Sequence, residues 1–377
     1  MNFTTLFLTA NSREFLKDPG MIAFYMHEAC GWESHIASFV KEDADDYNLN
    51  LLRGGVRLDC LGDRKLPENP LRMLSCKEAF RYLRKYARKI DVLHLFFIKF
   101  SIPYGLAYKI LHPKGILYVK ADMNVNAVIA EDKKRLAFIR CFVYRIYLRH
   151  IVDVISVEST KGYDYLKNKY GLSGKKLLYL PNGIDDRFLR PSKPFGDKSD
   201  TIITVGRIGT YQKNTEFLLE AAKSVEWKGD WKLKIIGPIE QSFEPAIESF
   251  YEETGLKDRV IFTGAINERD KLFDEYDDAK VFCLTSRYES FGFVLIEAQM
   301  YGNYLISTDV CSLKDFTEDG KYGKTVGTPQ EMADEINRII SDQSKIESPC
   351  EQAKAHAGQY RWSKVCSVLN QHLSHCR

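Results

Sequence analysis

Short apolar runs recur along the chain with stretches of helical periodicity between several of them, and the rhythm starts afresh after residue 200. Residues 3–9, 92–98, 116–119 and 152–157 are rich in β-branched and aromatic side chains in the first half; 202–205, 233–236, 260–262, 281–284 and 304–307 repeat the pattern in the second. Brief, near-continuous apolar strands alternating with helices describe parallel sheets covered on both faces, which is the α/β class. Pro181 and the Asn182-Gly183 pair mark a strong turn in the segment LPNGID at 180–185. The expected organisation is therefore an N-terminal domain over 1–180, a second over 181–360, and a last segment over 361–377. Open sheets of this kind bind ligands beyond the carboxyl ends of their strands.

A length of 377 residues, 45% of them hydrophobic, suits two cores. No apolar run approaches the ~20 residues that a bilayer span requires. The opening MNFTTLFLTANSREF has no basic leader and reads as a buried strand, so a cytoplasmic location is expected. The nine cysteines include no C-x2-C pair and the eight histidines are scattered, which predicts reduced thiols and no metal site. Charge is uneven: residues 1–180 hold 29 Lys and Arg against 19 Asp and Glu, while the whole chain nets +3. The first half thus suits an anionic surface or substrate; no nucleic-acid motif accompanies it.

Residues 77–90 fit a helix whose Lys77, Arg81, Arg84, Lys85, Arg88 and Lys89 share an arc of about 140°, with Ala79, Phe80, Leu83 and Ile90 among the residues opposite. Such a face is either solvated or set against anionic lipid headgroups. The stretch from Lys133 to Arg149 is apolar nearly all round its axis and is expected to be mostly core.

The chemistry concentrates at 284–298. Ser290 is the expected N-cap, Gly292 allows close backbone approach, and a helix should run from Phe293. A helix N-terminus is a ready phosphate cradle. Glu289 just before it and Glu297 within it would flank that cradle roughly 8–12 Å apart, placed to grip hydroxyls at both ends of a ligand such as a nucleotide sugar.

The spacing of Glu289 and Glu297 within ESFGFVLIEA resembles the E-x7-E signature of retaining glycosyltransferases of family 4. LPNGID at 180–185, VGRIGTYQKN at 205–214, VIFTGAI at 260–266 and VFCLTSRYESFG at 281–292 are similar to further elements of that family in the same order. Arg361-Trp362-Ser363 resembles its lead-in to a last helix that crosses back to the first domain. The resemblance implies the GT-B fold of two facing Rossmann-like domains, and an enzyme that moves a hexose from a nucleoside-diphosphate sugar to a hydroxyl with retention. It implies Arg207, Lys213 and Glu289 at the reaction centre, and Gly20, Gly206, Gly237, Ile266, Ser290, Phe291, Gly292, Phe293 and Glu297 on the donor side. Lys120, Asp122 and Asn124 would face the acceptor. Ala121 stands where many relatives have a histidine; in the same-face attack that the resemblance implies, the leaving phosphate takes the acceptor proton, so a protein base is not obligatory and the missing histidine is tolerable. Neither cofactor nor metal is expected. The implied partners are the nucleotide-sugar donor, a glycan or glycolipid acceptor and, through 77–90, the inner face of the cell membrane. A non-catalytic sugar-binding relative and an epimerase of the same fold are the alternatives.

Overall fold

The computed structural model describes residues 1–41, 43–63, 73–310 and 312–376. They fold as two units, one comprising Met1–Asp186 with the C-terminal segment from Arg361, the other Arg187–Tyr360. The boundary falls a little beyond the expected position because residues after 180 remain bonded to the first unit. Tyr25 Oη donates to Asp185 Oδ1 at 2.8 Å, and Asp186 accepts from the Ser363 amide at 3.0 Å and hydroxyl at 2.6 Å.

The first unit holds a seven-stranded sheet in the order β3-β2-β1-β4-β5-β6-β7. Its strands are β1 (Asn2–Leu6), β2 (Glu33–Ser38), β3 (Arg57–Cys60), β4 (Val92–Phe96), β5 (Ile116–Lys120), β6 (Val154–Val157) and β7 (Leu177–Tyr179). The second unit holds six strands in the order β10-β9-β8-β11-β12-β13. These are β8 (Ser199–Val205), β9 (Lys232–Ile236), β10 (Val260–Gly264), β11 (Ala279–Leu284), β12 (Tyr304–Ser307) and β13 (Gly323–Thr325). The pairings between these strands are parallel, and β4, β5, β6 and β11 are buried throughout, which is why they read as unbroken apolar runs. The core of the second unit includes Ile202, Leu233, Ile235, Val281 and Ile306, closed over by Leu218, Phe250, Met332 and Ile336. In each sheet the order reverses beside the unit's first strand, so loops leaving β1 and β4, or β8 and β11, diverge and open a crevice.

Four expectations change. The strand foreseen over 3–9 ends at Leu6, and that over 92–98 ends at Phe96, where Phe97 takes a left-handed φ of 59° before helix Ile98–Leu111. The helix foreseen over 77–90 is α-helical over Lys77–Tyr86 and tightens to a 3₁₀ turn over Ala87–Lys89. All six of its cations are exposed, while Ala79, Leu83, Ala87 and Ile90 are buried. The stretch after Lys133 is not core: in helix Ala137–Ile146 most apolar side chains face outward, because the helix packs through its polar side. No helix among the described residues is long and apolar enough to cross a membrane. Of the cysteines, Cys311 lies outside the described residues and the others are unbridged.

Candidate functional site

Two loops border the crevice of the second sheet, 206–214 after β8 and 285–292 after β11. They are tied together. Thr285 Oγ1 donates to Lys213 O at 2.9 Å, the Arg287 amide to Gln212 O at 2.8 Å, and the Arg287 guanidinium to Tyr211 O at 2.6 Å while lying 4.3 Å over the Tyr211 ring. On this frame Lys213 Nζ meets Glu289 Oε1 at 2.6 Å, and Ser286 Oγ donates to the same oxygen at 2.7 Å. Gln212 extends the cluster: its Nε2 is 3.4 Å from Glu289 Oε2, and its Oε1 accepts from Arg207 Nη2 at 2.8 Å. The three residues expected at the reaction centre therefore share one hydrogen-bonded group. Lys213 and Glu289 are largely buried, so each charge offsets the desolvation of the other, and removing one strands its partner. Arg207 is exposed.

Helix Phe293–Met300 begins beside this cluster. Its N-cap is Gly292, at a φ of 84°, and no side chain caps it. Ser290, expected in that role, lies two residues upstream, since the left-handed turn that starts the helix is taken by a residue without a Cβ. The amides of the first turn are thus left without a side-chain cap, the condition under which a helix end receives an anion. Phe291 is buried edge-on to Phe316 at 5.0 Å, and its carbonyl accepts from Ser312. Gly206 and Gly237 meet at the ends of β8 and β9: a Cβ on Gly237, whose φ is +146°, would lie 1.7 Å from Gly206 O. Ile266 is half-buried in the loop after β10, and Phe293 is half-buried at the helix start.

Glu297 occupies a separate setting. Tyr276 Oη donates to its Oε2 at 3.0 Å, and Arg269 Nη2 lies 3.7 Å from its Oε1. Burial pushes the Glu297 carboxyl above the usual carboxylate range, against the downward pull of Arg269 and Tyr276. The Arg269 guanidinium lies 5.1 Å from the Phe188 ring and 5.3 Å from that of Phe273, two rings in edge contact with each other, and its Nε is buried and unpartnered. Sequence reasoning missed both neighbours. Their only signal is that Arg269 and Tyr276 lie about two turns apart on helix Arg269–Asp278 and so share a face.

In the first unit, Gly20 lies in the opening turn of helix Asp18–Glu28; a Cβ there would fall 2.1 Å from Phe15 O, so packing alone requires a glycine. Lys120 ends β5 fully buried, its ammonium donating to Leu180 O at 3.2 Å. Asn124 caps helix Val125–Asp132 by accepting from the Ala127 amide at 3.1 Å, and half-buried Asp122 has a φ of 36°. Around Lys120 stands an acidic group that the motifs did not reveal. Burial, then the charge of Asp122, raises Asp18 to about 7 and Glu158 to about 8, with Lys120 pulling both down. Glu158 Oε1 accepts from the Met123 amide at 2.8 Å, while Asp18 Oδ2 and Glu158 Oε2 are buried without a partner. His94 is buried against Tyr118, its rings stacked at 4.5 Å, and is held neutral by that burial and by Lys120.

Residues 185–356 match the family model of the glycosyl transferases group 1. D-inositol 3-phosphate glycosyltransferase of Corynebacterium urealyticum is 30% identical over 175 residues, covering 44% of this chain and 41% of that relative's length. The amylovoran biosynthesis glycosyltransferase AmsD of Erwinia amylovora is 24% identical over 327 residues, 84% of this chain and 87% of its own. Among solved structures, Anabaena HepE in complex with UDP superposes with a TM-score of 0.74 at 16% identity, covering 100% of both chains. The second unit of this chain is thus a domain of the glycosyl transferases group 1, and the chain has the GT-B fold.

Proposed function

We propose that this chain transfers a hexose from a nucleoside-diphosphate sugar to a hydroxyl of a lipid-linked glycan, with retention at the anomeric carbon and without a metal ion, in bacterial surface-polysaccharide synthesis. The Lys213–Glu289 pair beside the uncapped helix N-terminus carries this reading. When the bond between the anomeric carbon and the phosphate oxygen breaks, negative charge grows on the leaving diphosphate. Lys213, Arg207 and the first amides of helix Phe293–Met300 are fixed positive groups on which that charge is stabilised. Glu289 accepts hydrogen bonds from sugar hydroxyls, which fixes the ring. The acceptor hydroxyl attacks from the face of departure and passes its proton to the leaving phosphate, so the absence of a histidine at Ala121 is no obstacle. Glu297, held by Tyr276, is suited to a ribose hydroxyl. The bound UDP of Anabaena HepE and the amylovoran biosynthesis named for AmsD support donor and pathway class.

A second reading, a relative that binds the donor without turnover, is favoured by the buried engagement of Lys120 with Leu180 in the first unit. One screen separates the readings. A nucleoside diphosphate at 100 times its Kd stabilises by about 2.7 kcal/mol, so a clear rise in Tm is expected with at least one of them, followed by product formation with the matching sugar donor. If no nucleoside diphosphate or its sugar moves Tm, both readings fail; a shift without turnover against any polyprenyl-linked glycan favours the second. The exposed cations of Lys77–Tyr86 and the turn after it suit a weak electrostatic hold on anionic lipid, at roughly 1 kcal/mol per residue.

A further inference from the structure

Helix Ala137–Ile146 is amphipathic with its apolar side outward. At 100° per residue, Phe138, Phe142, Ile146, Ile139, Val143 and Leu136 fall in one arc of about 160°, and all six are exposed, Phe138 at 68% and Phe142 at 63%. Ile129, on the helix packed against it, is exposed as well. The opposite side anchors the helix. Ala137 is buried, Arg140 bridges Glu131 and Asp132 at 2.7 Å each, and Cys141 Sγ donates to Asp132 Oδ1 at 3.4 Å. Against the upward effect of its burial, Asp132 is held down to about 2 by hydrogen bonds from Tyr165, Lys169 and Arg140. This anchor fixes which face the helix shows, so the outward apolar face is a built feature.

The rim identifies what covers it. From Lys133 to His150 there are six Lys and Arg and no Asp or Glu. Lys133, Lys134, Arg135, Arg145 and Arg149 are exposed. In a symmetric contact between two copies this basic rim would face its own like. An anionic bilayer offers acyl chains to the centre and negative headgroups to the rim. We propose that helix Ala137–Ile146 inserts its apolar face into the headgroup boundary of an anionic membrane and holds the first unit there. This deepens the membrane part of the functional reading and rests on residues other than 77–89.

The test is partition of the full chain onto phosphatidylcholine vesicles with and without phosphatidylglycerol. The parent should float with the anionic vesicles and not with the neutral ones, and the Phe142→Trp variant should blue-shift its emission when anionic vesicles are added. Phe138→Ser with Phe142→Ser should lower partition on the order of a hundredfold in both low and high salt. Neutralising Lys85, Arg88 and Lys89 should lower it in low salt only. No flotation of the parent, equal flotation of the double variant, or an unshifted emission from the Phe142→Trp variant overturns the proposal. So does a parent dimer that the double variant converts to a monomer, since the face would then join two copies. None of these readouts requires turnover, so their failure leaves the transferase reading standing, and failure of that reading leaves vesicle partition unchanged.

Discussion

Gly237 is the position where the backbone at the crevice of the second sheet leaves no room. A methyl group would sit 1.7 Å from Gly206 O, and the φ of +146° excludes other residues. Gly237→Ala should therefore cost more than about 2 kcal/mol in denaturant unfolding. A loss within about 0.5 kcal/mol would show that the two loops can part freely. Lys213→Ala leaves Glu289 with only Ser286 and Gln212, and should lower kcat on the order of 10³-fold while the circular dichroism spectrum is kept. Unchanged turnover would remove its assigned role. Tyr276→Phe takes the donated hydrogen bond from Glu297 and should raise the donor KM about tenfold with kcat nearly constant, a split read from initial rates. Lys213 and Glu289 were legible because their spacing follows family motifs. Arg269 and Tyr276 were not, since their approach to Glu297 depends on how one helix crosses another, which local spacing does not encode. The capping role given to Ser290 shifted to Gly292 for a similar reason: residue preference alone does not say where the left-handed turn falls.

At the level of elements, strands with an unbroken apolar run announced themselves, the edge strand β10 among them, and those without one did not. β3, β7 and β13 are short and partly exposed at or beside sheet margins, and β2 (ESHIAS) buries Ser34, His35 and Ser38, so neither an apolar run nor an alternation marks them. Helix Ala137–Ile146 misled for the opposite reason, since high hydropathy was read as burial although the ion pairs at Arg140 turn that face outward. The elements that meet at the carboxyl end of the first sheet carry a pH dependence. Folding raises Asp18 from 3.8 to about 7 and Glu158 from 4.5 to about 8, so between those limits the folded state binds more protons than the unfolded one. Stability contributed by these groups is then greatest at the acid end of the window and falls as pH rises through it. The first unit should melt at a lower temperature near pH ~8.5 than near pH ~6, and Asp18→Asn with Glu158→Gln should flatten that slope. A slope unchanged in the double variant would assign the dependence to other groups.

For the molecule as a whole, chain order and spatial order part company at the C-terminus. Helix Trp362–Ser374 follows the second unit in sequence yet belongs to the first, where Trp362, Val365, Cys366, Leu369 and Leu373 are buried and the helix packs against Asp18–Glu28. Its arrival is prepared in the LPNGID turn: the Trp362 amide donates to Ile184 O at 3.0 Å, and a Cβ on Gly183 would lie 2.7 Å from the indole. Trp32 Nε1 donates to Asn370 Oδ1 at 2.8 Å farther along. The two-unit plan could be read from the repeated rhythm of strands, and the returning helix only from the resemblance of Arg361-Trp362-Ser363 to a family element. The exact margin could not, because residues after Leu180 are held by contacts distant in sequence. Four large apolar side chains at roughly 1.5–3 kcal/mol each amount to much of the roughly 5–15 kcal/mol that holds a domain together. A chain ending after Tyr360 should therefore lose cooperative unfolding of the first unit and retain that of Arg187–Tyr360, so calorimetry should show one transition vanish and one persist. Leu369→Ala, a milder change costing about 2–5 kcal/mol, should lower the same transition and leave the other in place. If both transitions moved together, the helix would be stabilising the second unit as well, and the division of the chain at Asp186 and Arg361 would not describe how it unfolds.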